Sequence, residues 1–152
     1  MSHTDQGHKV VAASPPEVFS ALVDADARTV WLPPRGMTGR FTWFDPRAGG
    51  GYRLVLTYDD PGTSGKSHDN ADVVEVRFTA VAPHEVVEEA DFVSDDPAFA
   101  GTMTMTWSLE AVDAGTLVTI TATDVPDGIS RADHARAFAS TLDNLDAWLA
   151  SR

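Results

Sequence analysis

The chain has 152 residues, no cysteine, 43% hydrophobic and 22% charged residues, and a formal charge of −12 at pH 7. That length and balance suit a single domain spanning residues 1–152 with a core that needs no covalent staples, and the lack of cysteine excludes disulfides and thiolate metal sites. The acidity argues against nucleic acid and anionic membrane surfaces as partners, and no stretch approaches the roughly 20 apolar residues of a membrane span.

The N-terminal MSHTDQGHKVV lacks the apolar run of a signal peptide, so a cytoplasmic location is expected. His8 to Ala13 reads as a short strand. Ser14-Pro15-Pro16-Glu17 follows, with a capping serine, a proline suited to the first helical turn, and a glutamate placed to complete a capping box. Val18, Phe19, Ala21, Leu22 and Val23 supply the apolar residues of that helix. A second short helix is predicted over Asp24 to Trp31, ending before Pro33-Pro34.

From there the period changes from helical to two. Phe41 and Trp43 alternate with Thr42. Tyr52, Leu54, Leu56 and Tyr58 alternate with Arg53, Val55 and Thr57. Val74, Val76, Phe78 and Ala80 alternate with Glu75, Arg77 and Thr79. The glycines Gly49, Gly50 and Gly51 stand before the second of these runs. A phosphate-holding glycine loop needs a helix behind it; GGGYRLVLTY leads into a strand, so the glycines are read as a strand opening or bulge. DPGTSGKS, residues 60–67, has Asp60 where a phosphate loop needs glycine and also runs into a strand. It reads as a hairpin loop over Asp59 to Ser67, not a nucleotide site.

TMTMTWSL, residues 102–109, alternates most strictly, with Met103, Met105, Trp107 and Leu109 on one side and Thr102, Thr104, Thr106 and Ser108 on the other. After Asp113-Ala114-Gly115, Val118, Ile120 and Ala122 continue the buried side. Two such strands in succession predict an antiparallel sheet with one wet and one buried face. The chain closes in a long helix after Ser130, with an apolar stripe of Ala135, Phe138, Leu142, Leu145 and Leu149 that must bury against the sheet, Phe138, Leu142 and Leu145 being expected on Met103, Met105 and Trp107.

Chemistry-bearing motifs are few. His3, His8, His68, His84 and His134 are scattered and form no H-E-x-x-H pattern. There is no G-x-S-x-G elbow, and no cofactor or metal is expected. His68-Asp69-Asn70-Ala71-Asp72 offers oxygen and nitrogen ligands, but it reads as a solvated hairpin end. In VVEEADF, Val86, Glu88, Ala90 and Phe92 share one face, and Val87, Glu89 and Val93 the other. If the first face is buried, Glu88 is a carboxylate among apolar groups with a raised pKa. A slip of one residue reverses the assignment.

Strand, two short helices, about six strands and a long helix, with ASPPEVFSAL, TVWLPP, FDPRAGGGYRL, VAPHEVVEE, MTWSLEAVDAGTLVTITATD and TLDNLDAWLAS in that order, resemble the activator of Hsp90 ATPase homologue 1-like (AHSA1-like) family of the START/Bet v 1-like (SRPBCC) superfamily. Nearly the whole chain is covered. Many relatives carry a Gly-Trp pair in the last helix, where this sequence reads ARAFAST. The resemblance implies an α+β helix-grip fold, with a curved antiparallel sheet of six or seven strands wrapped around the C-terminal helix. It also implies a cavity between the two.

Candidate walls of that cavity are Tyr52, Leu54, Tyr58, Met103, Met105, Trp107, Phe138 and Leu142, with Trp31 near one end; the same residues serve equally as plain core. Three functions follow from the resemblance: binding of a small hydrophobic or aromatic ligand, oriented by Glu88 or Tyr58; a polyketide-cyclase-like or hydrolase-like reaction using Glu88 or a cavity tyrosine; and a chaperone-cofactor role. Homodimerisation is left open.

Overall fold

The computed structural model describes residues 3–67 and 70–152. The elements run β1 (His3–Val11), α1 (Pro15–Leu22), α2 (Ala25–Trp31), β2 (Met37–Asp45), β3 (Gly51–Tyr58), β4 (Ala71–Ala82), β5 (Glu85–Phe92), β6 (Thr102–Val112), β7 (Gly115–Val125) and α3 (Arg131–Ala150), with a 3₁₀ turn at Pro97–Phe99 before β6. The first strand begins earlier than expected and ends before Ala13. The seven strands form one open antiparallel sheet in the order β1-β7-β6-β5-β4-β3-β2. The helices lie on its buried face, which makes this an α+β helix-grip fold. No helix among the described residues is long and apolar enough to cross a membrane.

Local chemistry sets the helix ends. The Ser14 N–H and hydroxyl both donate to Glu17 Oε1, at 3.1 and 2.9 Å, which is the reciprocal half of a capping box. Asp24 stands at the N-cap of α2 and accepts from the Asp26 and Ala27 N–H groups. Ser130 caps α3 by accepting from the Asp133 N–H.

The sheet alternates as predicted on β6 and β7, where Met103, Trp107, Leu109, Val118, Ile120 and Ala122 are buried. Besides an irregularity between His3 and Asp5 in the β1–β7 pairing, two bulges change the phase of predicted strands. One lies between Phe41 and Trp43 in the β2–β3 pairing. It places Phe41 and Phe44 against Tyr52 and turns Trp43 outward to 50% exposure, so Phe41 and Trp43 do not share a face. The other lies between Phe78 and Ala80. It brings Val81, opposite Val86, against the core in place of the expected continuation through Ala80.

The glycine cluster opens a strand. Gly49 adopts φ 87°, a backbone region that favours glycine. Gly51 begins β3 so close to β4 that a Cβ there would run into the Val76 carbonyl oxygen. Gly49 and Phe78 also tie the β2–β3 loop to β4, through the Gly49 N–H to Phe78 O and the Phe78 N–H to Gly50 O.

The terminal helix docks differently from the expectation in two respects. Its buried row is His134, Phe138, Thr141, Leu142 and Leu145, whereas Ala135 faces solvent. It packs most closely over β1 and α2, and Phe138 sits against Gly7 of β1. Trp107 on β6 packs edge-on against Trp31 of α2, with ring centroids 5.5 Å apart. The short helices cover part of the sheet where α3 was expected to lie directly on β6.

Candidate functional site

Three hydrogen bonds fix α3 to the α2–β2 connection: Thr141 Oγ1 donates to Leu32 O at 2.9 Å, Asn144 Nδ2 to Pro33 O at 3.0 Å, and the Arg35 N–H to Ser140 Oγ at 2.7 Å. The helix is thereby held at one margin of the sheet. Between it and the inner faces of β3, β4, β5 and β6 lies a cleft of about 1080 Å³. Its walls include eight of the residues singled out from sequence: Tyr52, Leu54, Tyr58, Glu88, Met103, Met105, Trp107 and Phe138. Trp31 and Leu142 lie outside it. Both are buried in the core cluster behind the walls, because α2 presses Trp31 onto Trp107 and Leu142 points to the packed side of α3.

The register places Glu88 inward, opposite Phe78 on β4 and Met105 on β6. It is not a lone carboxylate among apolar groups. Arg28 of α2, wholly buried, donates from Nη1 to Glu88 Oε1 at 3.0 Å, and Trp107 Nε1 donates to Oε2 at 2.6 Å. Arg28 also donates from Nε to Leu22 O at 2.6 Å and from Nη1 to Tyr52 OH at 3.3 Å. Its guanidinium carbon lies 5.4–5.9 Å from the ring centroids of Trp31, Phe44, Tyr52, Phe78 and Trp107. Aromatic faces attract a desolvated cation in this way.

Burial disfavours the Arg28 cation, but Glu88 and Tyr52 outweigh it and raise its pKa. Burial, with Glu88 adding, pushes the Tyr52 hydroxyl well above its ordinary value, so it stays protonated at neutral pH. This arrangement fixes α2 to the sheet. The two Glu88 oxygens are engaged by Arg28 and Trp107, which suits a structural ion pair better than an acid–base group working on a substrate.

A second polar group stands where the β3–β4 loop meets the cleft. Asp72 Oδ2 accepts from Lys66 Nζ at 2.9 Å and from Tyr58 OH at 3.2 Å, while its Oδ1 accepts from the Lys66 N–H at 2.7 Å. The Lys66 ammonium also lies 5.5 and 5.6 Å from the ring centroids of Phe92 and Phe99. Burial opposes its charge, but the bond to Asp72 prevails and raises its pKa. Lys66, the lysine of the DPGTSGKS loop, is thus committed to an internal carboxylate. His68 and Asp69 of the metal-ligand reading lie outside the described residues, and no cluster of three potential metal-ligating His, Asp or Glu side chains stands among the described residues.

A third polar group enters from α3. His134 lines the cleft, and its Nδ1 lies 2.6 Å from Asp5 Oδ2 on β1. Asp5, itself buried, also meets His3 Nε2 at 2.9 Å and stands 3.7 Å from the Arg131 guanidinium. Burial lowers the His134 pKa; Asp5 opposes the shift, and His3 and Lys66 add to it.

Lys66, Asp72, Arg28 and His134 were not among the residues proposed from sequence. For Arg28 and His134 the helical spacing held a signal: Arg28 stands one turn before Trp31 and Leu32, and His134 one turn before Phe138.

The sequence matches the family described as activator of Hsp90 ATPase homolog 1-like protein over residues 12–150. Among solved structures, a protein of Chromobacterium violaceum is similar at 25% identity, with 96% of each chain covered and a TM-score of 0.85. A protein of Rhodobacter sphaeroides is similar at 21% identity over 97% of this chain and 92% of its own, with a TM-score of 0.78. A third, from Arthrobacter aurescens, shares 17% identity over 98% of this chain and 87% of its own, with a TM-score of 0.81. Comparison with curated proteins finds no match.

Proposed function

This chain belongs to the activator of Hsp90 ATPase homologue 1-like family, and we propose that it is a small-molecule binding protein whose cleft takes an apolar or aromatic ligand. The observation that supports this is the cleft itself: about 1080 Å³ between sheet and terminal helix, walled by Leu54, Leu56, Val74, Met103, Met105 and Phe138. Ligand sites in proteins are typically concave, mostly apolar and a few hundred to about 1,000 Å³ in volume, with few polar groups setting orientation. Affinity then comes from apolar burial, at about 25 cal/mol per Å² before the costs of association. The half-buried Met105 suits an adaptable wall, because an unbranched thioether side chain repacks easily.

A hydrophobic fluorescent probe added to the folded protein at neutral pH tests this reading. Binding is expected for the natural chain and loss of binding for Met105→Trp, whose indole fills the space. A probe that never binds, or that binds the filled variant equally well, removes the reading. In the family's enzyme-like alternative Glu88 would be the acid–base group, but its engagement by Arg28 and Trp107 favours binding over catalysis there.

A further inference from the structure

We propose that His134 is the polar anchor of the cleft and that it selects a hydroxylated aromatic ligand, whose O–H donates to His134 Nε2. This inference rests on the cleft being the ligand site. Of the three buried carboxylate and imidazole side chains on the wall, two have both oxygens engaged. Glu88 accepts from Arg28 and Trp107. Asp72 accepts from Lys66 and Tyr58. His134 is engaged through one ring nitrogen alone among the described residues: Nδ1 faces the Asp5 carboxylate at 2.6 Å.

An ionised carboxylate only accepts, so in the neutral imidazole the proton sits on Nδ1 and the lone pair on Nε2. Burial favours that neutral form by lowering the pKa. Asp5 is further held by His3 and approached by Arg131, so the orientation of the imidazole is supported from both β1 and α3. The outcome is an imidazole of fixed tautomer on the cleft wall, 4.1 Å from the Phe138 ring, with its acceptor nitrogen uncommitted to protein.

The apolar lining decides which donor suits it. A charged N–H donor would lose its hydration among Leu54, Val74, Met103 and Phe138, whereas a neutral hydroxyl on an aromatic ring is admitted at lower cost. Phe138, Phe92 and Met105 supply apolar surface for the ring that carries the hydroxyl. An acceptor left without a donor in an apolar cleft is costly, so the ligand lacking the hydroxyl is selected against.

The test compares 2-naphthol with 2-methoxynaphthalene, which has the same ring system but no donor, by calorimetry on the full chain. The natural protein is expected to bind 2-naphthol about fivefold or more tightly than the ether, the worth of one hydrogen bond, and His134→Phe to abolish the difference. Nitrogen NMR of histidine-labelled natural protein reads the same group without any substitution. His134 Nε2 is expected to be unprotonated in the free protein and to shift with 2-naphthol but not with the ether. A protonated Nε2 in the free protein overturns the anchor. So do equal or undetectable affinities for the two naphthalenes in a protein that binds the fluorescent probe. If the probe fails to bind as well, the binding reading has itself failed.

Discussion

Arg28 and Glu88, separated by 60 residues of chain, meet at 3.0 Å with side chains 0% and 2% exposed. Removing one partner strands a charge in the core. Arg28→Met is therefore expected to cost about 3–5 kcal/mol of stability. The double variant Arg28→Met/Glu88→Gln removes both charges and is expected to recover much of that loss. Urea unfolding of the two single variants and the double variant completes the cycle, and additive losses would contradict the pairing.

Leu142 is 1% exposed and belongs to the core rather than the cleft wall. Leu142→Ala is expected to cost about 2–5 kcal/mol, because a packed core relaxes only partly around the cavity it leaves. An unchanged thermal midpoint would show that α3 does not dock through this residue. Because Leu142 lies behind the wall, probe binding by the folded fraction is expected to survive.

Gly51 and Gly49 separate two reasons for glycine. A Cβ at Gly51 meets backbone of β4, which cannot yield without breaking the β3–β4 pairing. A Cβ at Gly49 meets nothing within 4 Å, but the residue holds φ 87°. Gly49→Ala is expected to cost about 1–2 kcal/mol of conformational strain, and Gly51→Ala distinctly more. Thermal melts of the two variants check the order.

Stability is also expected to fall as the solution is acidified through the histidine range. Burial holds the His134 pKa below its ordinary value of 6.5. The unfolded chain therefore binds a proton at a pH where the folded chain does not, and protons favour unfolding. The contribution is full above about pH 6.5 and is lost as pH falls toward the lower folded value. His134→Gln removes this titration, so its unfolding free energy should change less than the natural protein's between pH 7 and pH 5. Parallel pH profiles for the two proteins would refute the assignment.

The order of helices and strands was legible because alternation on β6 and β7, and capping residues at Ser14 and Ser130, are local signals that packing reinforced. The bulges at Thr42 and Thr79 were not legible. A bulge is a property of two paired strands, and neither run of sequence contains the register of the other. The role of Arg28 is not legible in ADARTVW, because a cation is rarely buried. Its burial depends on Glu88 and on rings contributed by α2, β2, β3, β4 and β6. The apolar pattern of α3 runs through Ala135, while the fold buries His134 one place earlier and satisfies it with Asp5. Eight of the ten proposed site residues reach the cleft wall. The volume of that cleft depends on how far α3 is held from the sheet, which the bonds of Thr141, Asn144 and Ser140 to the α2–β2 connection determine.

The pairing of β1 with β7 imposes an order of events on biosynthesis. Residues 3–11 leave the ribosome long before residues 115–125, with which their hydrogen-bonding edge pairs in the sheet. Until β7 has emerged, the first strand has no lateral partner in this sheet, and Gly7 has no Phe138 to cover it. The strands β2 to β6 pair with sequence neighbours and can associate as they appear. The first strand waits for β7, which makes its adoption a late step in the folding of this sheet and exposes it meanwhile to chaperones and to other nascent chains.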